Sequence, residues 1–314
     1  MAAPLIRRRR VMAAKIEGTP GTAEALTAAE AAFNVFDLTI EPDLAMNRRL
    51  AQGSMSSLPS IGGRRTATVR FKLEMCGTGA TGGANPAWAS VFLPSCGLVE
   101  SSSDLFILSS LPPEAASSAT KCISLAGYYD GQMRSVFGAM GNVTFTFSAG
   151  VPVMAEFEYK GIYGGVTDVA ILAPTYPSVI PPRFANSGAI ALAAFVPHVN
   201  SVTINLGNEV IVRESANTAT GLHSAIIANR NVTGTMDPEA HLIASYDSFG
   251  EWLAGTERAA VITVGTAANN IQVYTVPKMQ LISTADGDRG GLQVDTWNWQ
   301  ANRSAADDSI TRTS

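Results

Sequence analysis

The chain predicts an all-β fold with short helices, and three observations carry that prediction. In the first, Phe137 to Gly164 alternates on both sides of a small-residue turn: Val143, Phe145 and Phe147 with Asn142, Thr144 and Thr146, then Val153, Ala155, Phe157 and Tyr159 with Met154, Glu156, Glu158 and Lys160. A period of two gives each arm of a hairpin one apolar and one mostly polar face. Ser148-Ala149-Gly150 makes its turn, where glycine supplies positive φ. In the second, the same plan returns between Tyr274 and Trp299, with two arms around the turn Thr284 to Gly291. In the third, the elements before each hairpin come in the same order, which predicts two units.

Composition agrees with that reading. The 314 residues suffice for two domains with cores of their own. The chain is 46% hydrophobic but 15% charged, with 28 glycines. Soluble monomers carry about a quarter charged residues, so the shortfall favours an oligomer. A net charge of -4 argues against a general nucleic-acid binder. Cys76, Cys96 and Cys122 are odd in number and lack a CxxC pair. That encodes neither a disulfide framework nor a zinc site, and fits thiols kept reduced in a cytoplasm. No apolar run approaches the ~20 residues of a membrane span. After Arg7 to Arg10, the stretch VMAAKIEGTPG breaks down too soon for a signal peptide.

Residues 1–34 read as an arm, whose Arg7 to Arg10 is either solvated or docked on an acidic neighbour or DNA. Val35 to Ile40 alternates as a strand stopped by Glu41-Pro42, and a polar excursion from Asp43 to Arg65 follows. An excursion of that length is functional, an extended hairpin, or a mobile loop. Thr66 to Glu74 is a strand with Val69, Phe71 and Leu73 on one face, ending in a turn from Gly77 to Gly83. Asn85 caps a helix with Pro86 at its first position, burying Trp88, Val91 and Phe92. Short strands over 98–136 include Lys121 to Tyr129, and the hairpin completes a unit spanning 35–164. Prolines 174, 177, 181, 182 and 197 mark 165–199 as a stiff linker.

The second unit, 200–303, repeats the first. Val202 to Leu206 stands for Leu38 to Ile40, and the excursion 207–230 leads to a strand over 231–237. Asp247 caps a helix with Phe249, Trp252 and Leu253 at the spacing of Trp88, Val91 and Phe92. Residues 304–314 read as a polar tail. Two unrelated β-sandwiches are the alternative.

Chemistry is sparse. His198, His223 and His241 have no ligand spacing, the glycines of 77–83 lack a following Lys-Ser/Thr, and no GxSxG occurs. Glu156 and Glu158 share a strand face, as glycosidase carboxylates or simply as solvated acids. Neither an enzyme nor a cofactor is expected. Trp297 and Trp299, on one face, would suit a carbohydrate-binding or adhesin platform, or an interface or core.

Several segments resemble the tail tube proteins of long non-contractile-tailed bacteriophages, of the type with two concatenated tube domains. They are Ala13 to Thr22 (AAKIEGTPGT), Ala84 to Gly97 (ANPAWASVFLPSCG), Gly161 to Tyr163, Ala173 to Pro177 and Leu206 to Val210. The resemblance spans about Ala13 to Arg303. It implies two tandem β-sandwich or barrel domains, each with a long hairpin and one packed helix, whose hairpins join into a continuous inner β-barrel. It implies rings of three with pseudo-six-fold symmetry, stacked in the virion after synthesis in the bacterial cytoplasm. The implied partners are further copies of the chain, a tape measure protein and double-stranded DNA in the lumen, and tail terminator and distal tail proteins at the ends. Under it Glu74, Glu156, Glu158, Asp237, Asp286 and Asp295 are candidate lumen residues. Arg48, Arg49, Met55, Leu58, Ile61, Arg213, Leu222 and Ile226, in the two excursions, are candidate contacts between rings.

Overall fold

The computed structural model describes the chain except residues 1–4, 7, 54, 80–84, 103, 116–118, 187, 194 and 314. In chain order its strands are β1 (Arg10–Ile16), β2 (Val35–Arg49), β3 (Leu58–Glu74), β4 (Leu98–Ser102), β5 (Leu105–Leu108), β6 (Ile123–Tyr129), β7 (Gln132–Ser148), β8 (Met154–Asp168), β9 (Ile190–Leu192), β10 (Val199–Asn205), β11 (Asn208–Glu214), β12 (Leu222–Arg230), β13 (Thr233–Pro238), β14 (Glu257–Val264), β15 (Gln272–Arg289), β16 (Leu292–Ala301) and β17 (Thr311–Thr313). Two short helices, α1 (Ala87–Phe92) and α2 (Ser248–Ala254), interrupt them. The fold is all-β with short helices.

The strands of the two alternating hairpins pair as β7 with β8 and β15 with β16, turning at Gly150 (φ 81°) and at Gly290 and Gly291 (φ 64° and 89°). From them a continuous antiparallel spine grows in the order β2-β3-β8-β7-β10-β13-β16-β15. Hydrogen bonding follows one path in the first half, β1-β6-β7-β8-β3-β2, and the corresponding path in the second, β9-β14-β15-β16-β13-β10. The register of β2 against β3 slips between Phe36 and Thr39, and that of β10 against β13 slips between Val199 and Val202. β7 and β10 join the halves, Phe145 pairing with Ile204 and Phe147 with Val202.

Away from the outer ends of β2, β3 and β15, alternate residues of the spine enter one core. Phe92 of α1 lies 4.9 Å from Phe33, 5.1 Å from Phe71 and 5.4 Å from Phe157 by ring centroids. The Tyr159 hydroxyl, fully buried, donates to the Phe92 carbonyl at 2.9 Å. Phe145 and Phe147 carry the core across the join, 5.1 and 5.3 Å from Tyr274. Trp297 and Trp299 complete it, 2% and 1% exposed. Gly234 on β13 makes room for Trp299, since a Cβ there would sit 2.2 Å from Cζ2 of that indole.

Several expectations require correction. Glu41-Pro42 does not stop β2. Pro42 pairs with Ala67 on an edge strand, where a missing N–H facing outward breaks no ladder. For the excursion 43–65 the extended-hairpin reading holds: it is largely an extension of β2 and β3. The arm 1–34 contains β1, whose Met12, Ala13 and Ala14 are buried, and Arg7 lies outside the described residues. The linker 165–199 contains the end of β8 and all of β9, and the tail 304–314 contains β17, which inserts between β15 and β5. There Arg312 is fully buried, its guanidinium 4.9 Å from the Trp88 ring and 5.4 Å from Phe106. The first helix begins one residue late, with Pro86 at its N-cap. Asp247 does cap α2, accepting from the Gly250 amide at 2.7 Å, but Phe249, Trp252 and Leu253 stay exposed, although the Trp252 indole N–H donates to the Ile282 carbonyl of β15 at 2.6 Å. Part of the turn expected over Gly77 to Gly83 falls on residues outside the description.

One buried acid ties the start of the chain to the sheet. Glu17 accepts from the Gly138 amide (2.6 Å), the Gly21 amide (2.7 Å) and Ser124 Oγ (2.8 Å), while burial pushes its carboxyl upward from the usual range. Glu17→Ala strands those donors and should cost about 3 kcal/mol. Trp299→Ala should cost about 3–5 kcal/mol. Chemical denaturation of the isolated subunit reads both.

Candidate functional site

The spine has a second face, opposite the core, and the alternation of its strands fills it with polar side chains. β7 places Asn142, Thr144, Thr146 and Ser148 there because Val143, Phe145 and Phe147 point inward, and β10 adds Ser201, Thr203 and Asn205 by the same rule. Across the join the side chains bond to one another. Asn142 Nδ2 donates to Asn205 Oδ1 at 2.8 Å, and the Thr203 and Thr235 hydroxyls meet at 2.7 Å. Asn298 Nδ2 donates to Ser283 Oγ at 2.9 Å further along.

The charges of this face collect on β2, β3 and β8. Arg70 lies between Glu158 (2.9 Å) and Glu41 (2.8 Å), and Lys72 between Glu156 (3.7 Å) and Asp37 (3.9 Å). These cross-strand ties are half exposed and each contributes little to stability. They do neutralise two cations that would otherwise stand free. Asp237 accepts from the Asn200 and Ser201 amides at 3.0 and 2.6 Å and faces Arg289 at 3.7 Å.

Glu74, Glu156, Glu158 and Asp237 thus share the polar face. Asp286 and Asp295 do not, which corrects their placement among the lumen candidates. Asp295 stands two residues before Trp297, and the period that buries Trp297 and Trp299 carries Asp295 to the same side. It is 6% exposed and paired with Asp286 across the hairpin. Burial, and then the Asp286 charge, push its carboxyl upward. Both tryptophans are core residues and offer no exposed stacking platform. The lumen candidates omit Asp37 and Glu41, although Asp37 directly precedes buried Leu38 and Glu41 directly follows buried Ile40. Counting outward from buried Leu38 and Ile40 would have found them.

The two excursions differ. The β2–β3 arm carries Arg48, Arg49, Met55, Leu58 and Ile61 into solvent, with Met55, Leu58 and Ile61 all exposed. β11 and β12 instead form a separate hairpin folded against its own chain. Leu222 is buried there, so its assignment to contacts between rings is corrected. Arg213 is engaged with Glu114 and Ser224, and Ile226 is half buried. An ion pair between Arg64 and Glu214 ties the arm to this hairpin.

Burial pushes the Cys96 and Cys122 thiols up to about 12, so both stay protonated at neutral pH. Among the described residues no three His, Cys, Asp or Glu side chains converge as a metal site, and no helix is long and apolar enough to cross a membrane. What the structure presents is an extended polar sheet surface.

No curated protein matches the chain. The family model described as phage tail tube protein matches residues 7–301, nearly the whole chain. With a long antiparallel spine, polar on one face and packed on the other, this chain belongs to the phage tail tube protein family.

Proposed function

We propose that the chain is built of two tube domains and closes into rings of three, which stack into the tube of a phage tail and let DNA pass through the bore. The observation that carries this reading is the spine. It is continuous through both halves, the outer edge of β2 and the Leu281–Arg289 part of β15 pair with no further strand among the described residues, and the face opposite the core is largely polar. The like pairing paths of the halves, with matching register slips, support a duplicated domain. Free edges would promote unlimited aggregation unless the sheet closed on itself, and rotational symmetry supplies that closure.

In the ring the polar face lines the bore, bringing Glu74, Glu156, Glu158 and Asp237 to the lumen with the Thr, Ser and Asn side chains of β7, β10 and β13. Lysine and arginine bind DNA by releasing counterions from phosphate. Here Arg70 and Lys72 are each held by two carboxylates, and much of the remaining surface is neutral. Such a wall gives a sliding polyanion few places to stick. The tape measure protein and double-stranded DNA are the expected contents, and tail terminator and distal tail proteins the expected neighbours at the tube ends. The role is structural, in the virion, with assembly in the bacterial cytoplasm.

The β2–β3 arm, with Arg48, Arg49, Met55, Leu58 and Ile61, is the surface offered to the next ring. Its exposed apolar residues with arginines among them suit an interface with a charged rim.

The eight spine strands of each chain make a barrel of twenty-four in a ring of three. At about 4.8 Å between strands and a tilt near 40°, its backbone diameter is roughly 48 Å, leaving a bore of roughly 40 Å inside the side chains. Cryo-electron microscopy of the purified protein should show three copies per ring and a bore of that order. Six copies per ring would refute the two-domain reading, and a monomer at high concentration would refute the ring. Deleting residues 50–60 should leave single rings that do not stack, and normal tubes from that variant would exclude the arm as the contact.

A further inference from the structure

Ring closure leaves one join to be made between neighbouring copies, and the β7–β10 join shows inside a single chain how the fold makes it. Among the described residues β2 pairs with no strand but β3, so its outer edge carries no ladder. β15 is flanked by β14 as far as Gln280, but among the described residues its Leu281 to Arg289 segment has β16 as its one strand partner, with the Trp252 indole on the Ile282 carbonyl. The unpaired half of β15 corresponds to the half of β7 that pairs with β10.

The common pairing path converts one join into the other. Phe157 pairs with Phe71 and Val143, and Trp297 pairs with Met236 and Thr284, so Val143 and Thr284 are equivalent. The matching slips in β2 and β10 make Thr39 equivalent to Thr203. Transferring the β7–β10 register then sets Asp286 opposite Ile40, Asp288 opposite Leu38, Ala285 opposite Glu41 and Arg289 opposite Asp37 of the next copy.

The side chains at this second join have changed character together. Phe145 and Phe147 become Asp286 and Asp288. Their shared neighbour Tyr274 becomes Arg134, each standing two residues before the point where its strand slips in register, after Val276 and after Val136. Arg134 and Arg10 both stack on the Tyr129 ring, at 4.9 and 4.6 Å, and the Nε of each is buried with no hydrogen-bond partner within the chain. Arg10 also donates to the Leu38 carbonyl at 3.0 Å, at the residue set opposite Asp288. Conversely, among the described residues Asp286 and Asp288 have no ion-pair partner in their own chain, and Asp295 feels only the more distant charge of His241.

Resting on the ring reading above, we infer that the ring closes through a charged seam with a second copy of this chain. β15 of one copy pairs antiparallel with β2 of the next, and Asp286 and Asp288, with Asp295 beside them, lie against Arg10 and Arg134 of that copy. The join within the chain is aromatic and the join between chains is ionic. Pairing of β15 with another β15 would set acid against acid, so the charges also select the correct partner edge.

Cross-linking tests the register. Directly opposed strand residues hold their Cβ atoms about 4.5–5.5 Å apart, near disulfide range. Full-length protein carrying Ala285→Cys and Glu41→Cys should therefore oxidise to covalent trimers, whereas Ala285→Cys with Asp43→Cys should give far less. Charge reversal tests the seam. Asp286→Lys with Asp288→Lys should abolish rings while circular dichroism shows a folded subunit, and adding Arg10→Glu and Arg134→Glu should restore them. Raised salt should dissociate wild-type rings before it unfolds the subunit. Rings that form but do not cross-link at 285 and 41, or that ignore the lysine pair, overturn the seam and leave the ring standing. A wild-type chain that never forms rings overturns both.

Discussion

The whole molecule depends on the fact that a β-strand turns alternate side chains to opposite faces. Once Phe71, Phe157 and Tyr159 are committed to a core under α1, and Phe145 and Phe147 to its continuation beside Tyr274, the residues between them are committed to the other side. Large aromatic burial is the dominant favourable term, and it decides the orientation of residues that contribute nothing to it. The polar surface is in that sense a by-product of the core. Its threonines, asparagines and paired charges need only be compatible with water.

The same rule explains what was legible in the sequence. The long hairpins, the capped α2 and the polar setting of Glu156 and Glu158 follow from local alternation, which any reader can count. Asp295 went astray because an acid was read as polar-facing when its parity with Trp297 and Trp299 said otherwise. β1 and β17 carry no local signature strong enough to announce them. Arg312 is buried between Trp88 and Phe106, residues some two hundred positions away, and only tertiary packing decides that. α2 shows the converse limit. Its apolar spacing matches α1, yet Phe249, Trp252 and Leu253 remain exposed, since spacing says that a face is apolar and not what covers it.

Edges are managed by different means along the chain. Pro42 stops outward pairing of β2 just beyond Glu41, and the acids of β15 oppose promiscuous pairing on the other edge. Between the halves, where the partner is always present, the fold relies on buried aromatic contact. A permanent contact tolerates an apolar surface that would be hazardous on a newly made subunit.

The two excursions diverge at a single backbone position. Gly207 takes φ 62°, and a Cβ there would lie 2.1 Å from the Asn231 carbonyl oxygen, so only glycine permits the chain to bend and lay β11 and β12 against the body. The corresponding place in the first half is held by Asp43, and there β2 runs straight on into the arm. A ring of three would then project an arm at every third of a turn instead of every sixth. An incoming ring would have three equivalent seatings on a growing tube where a ring of six identical domains has six.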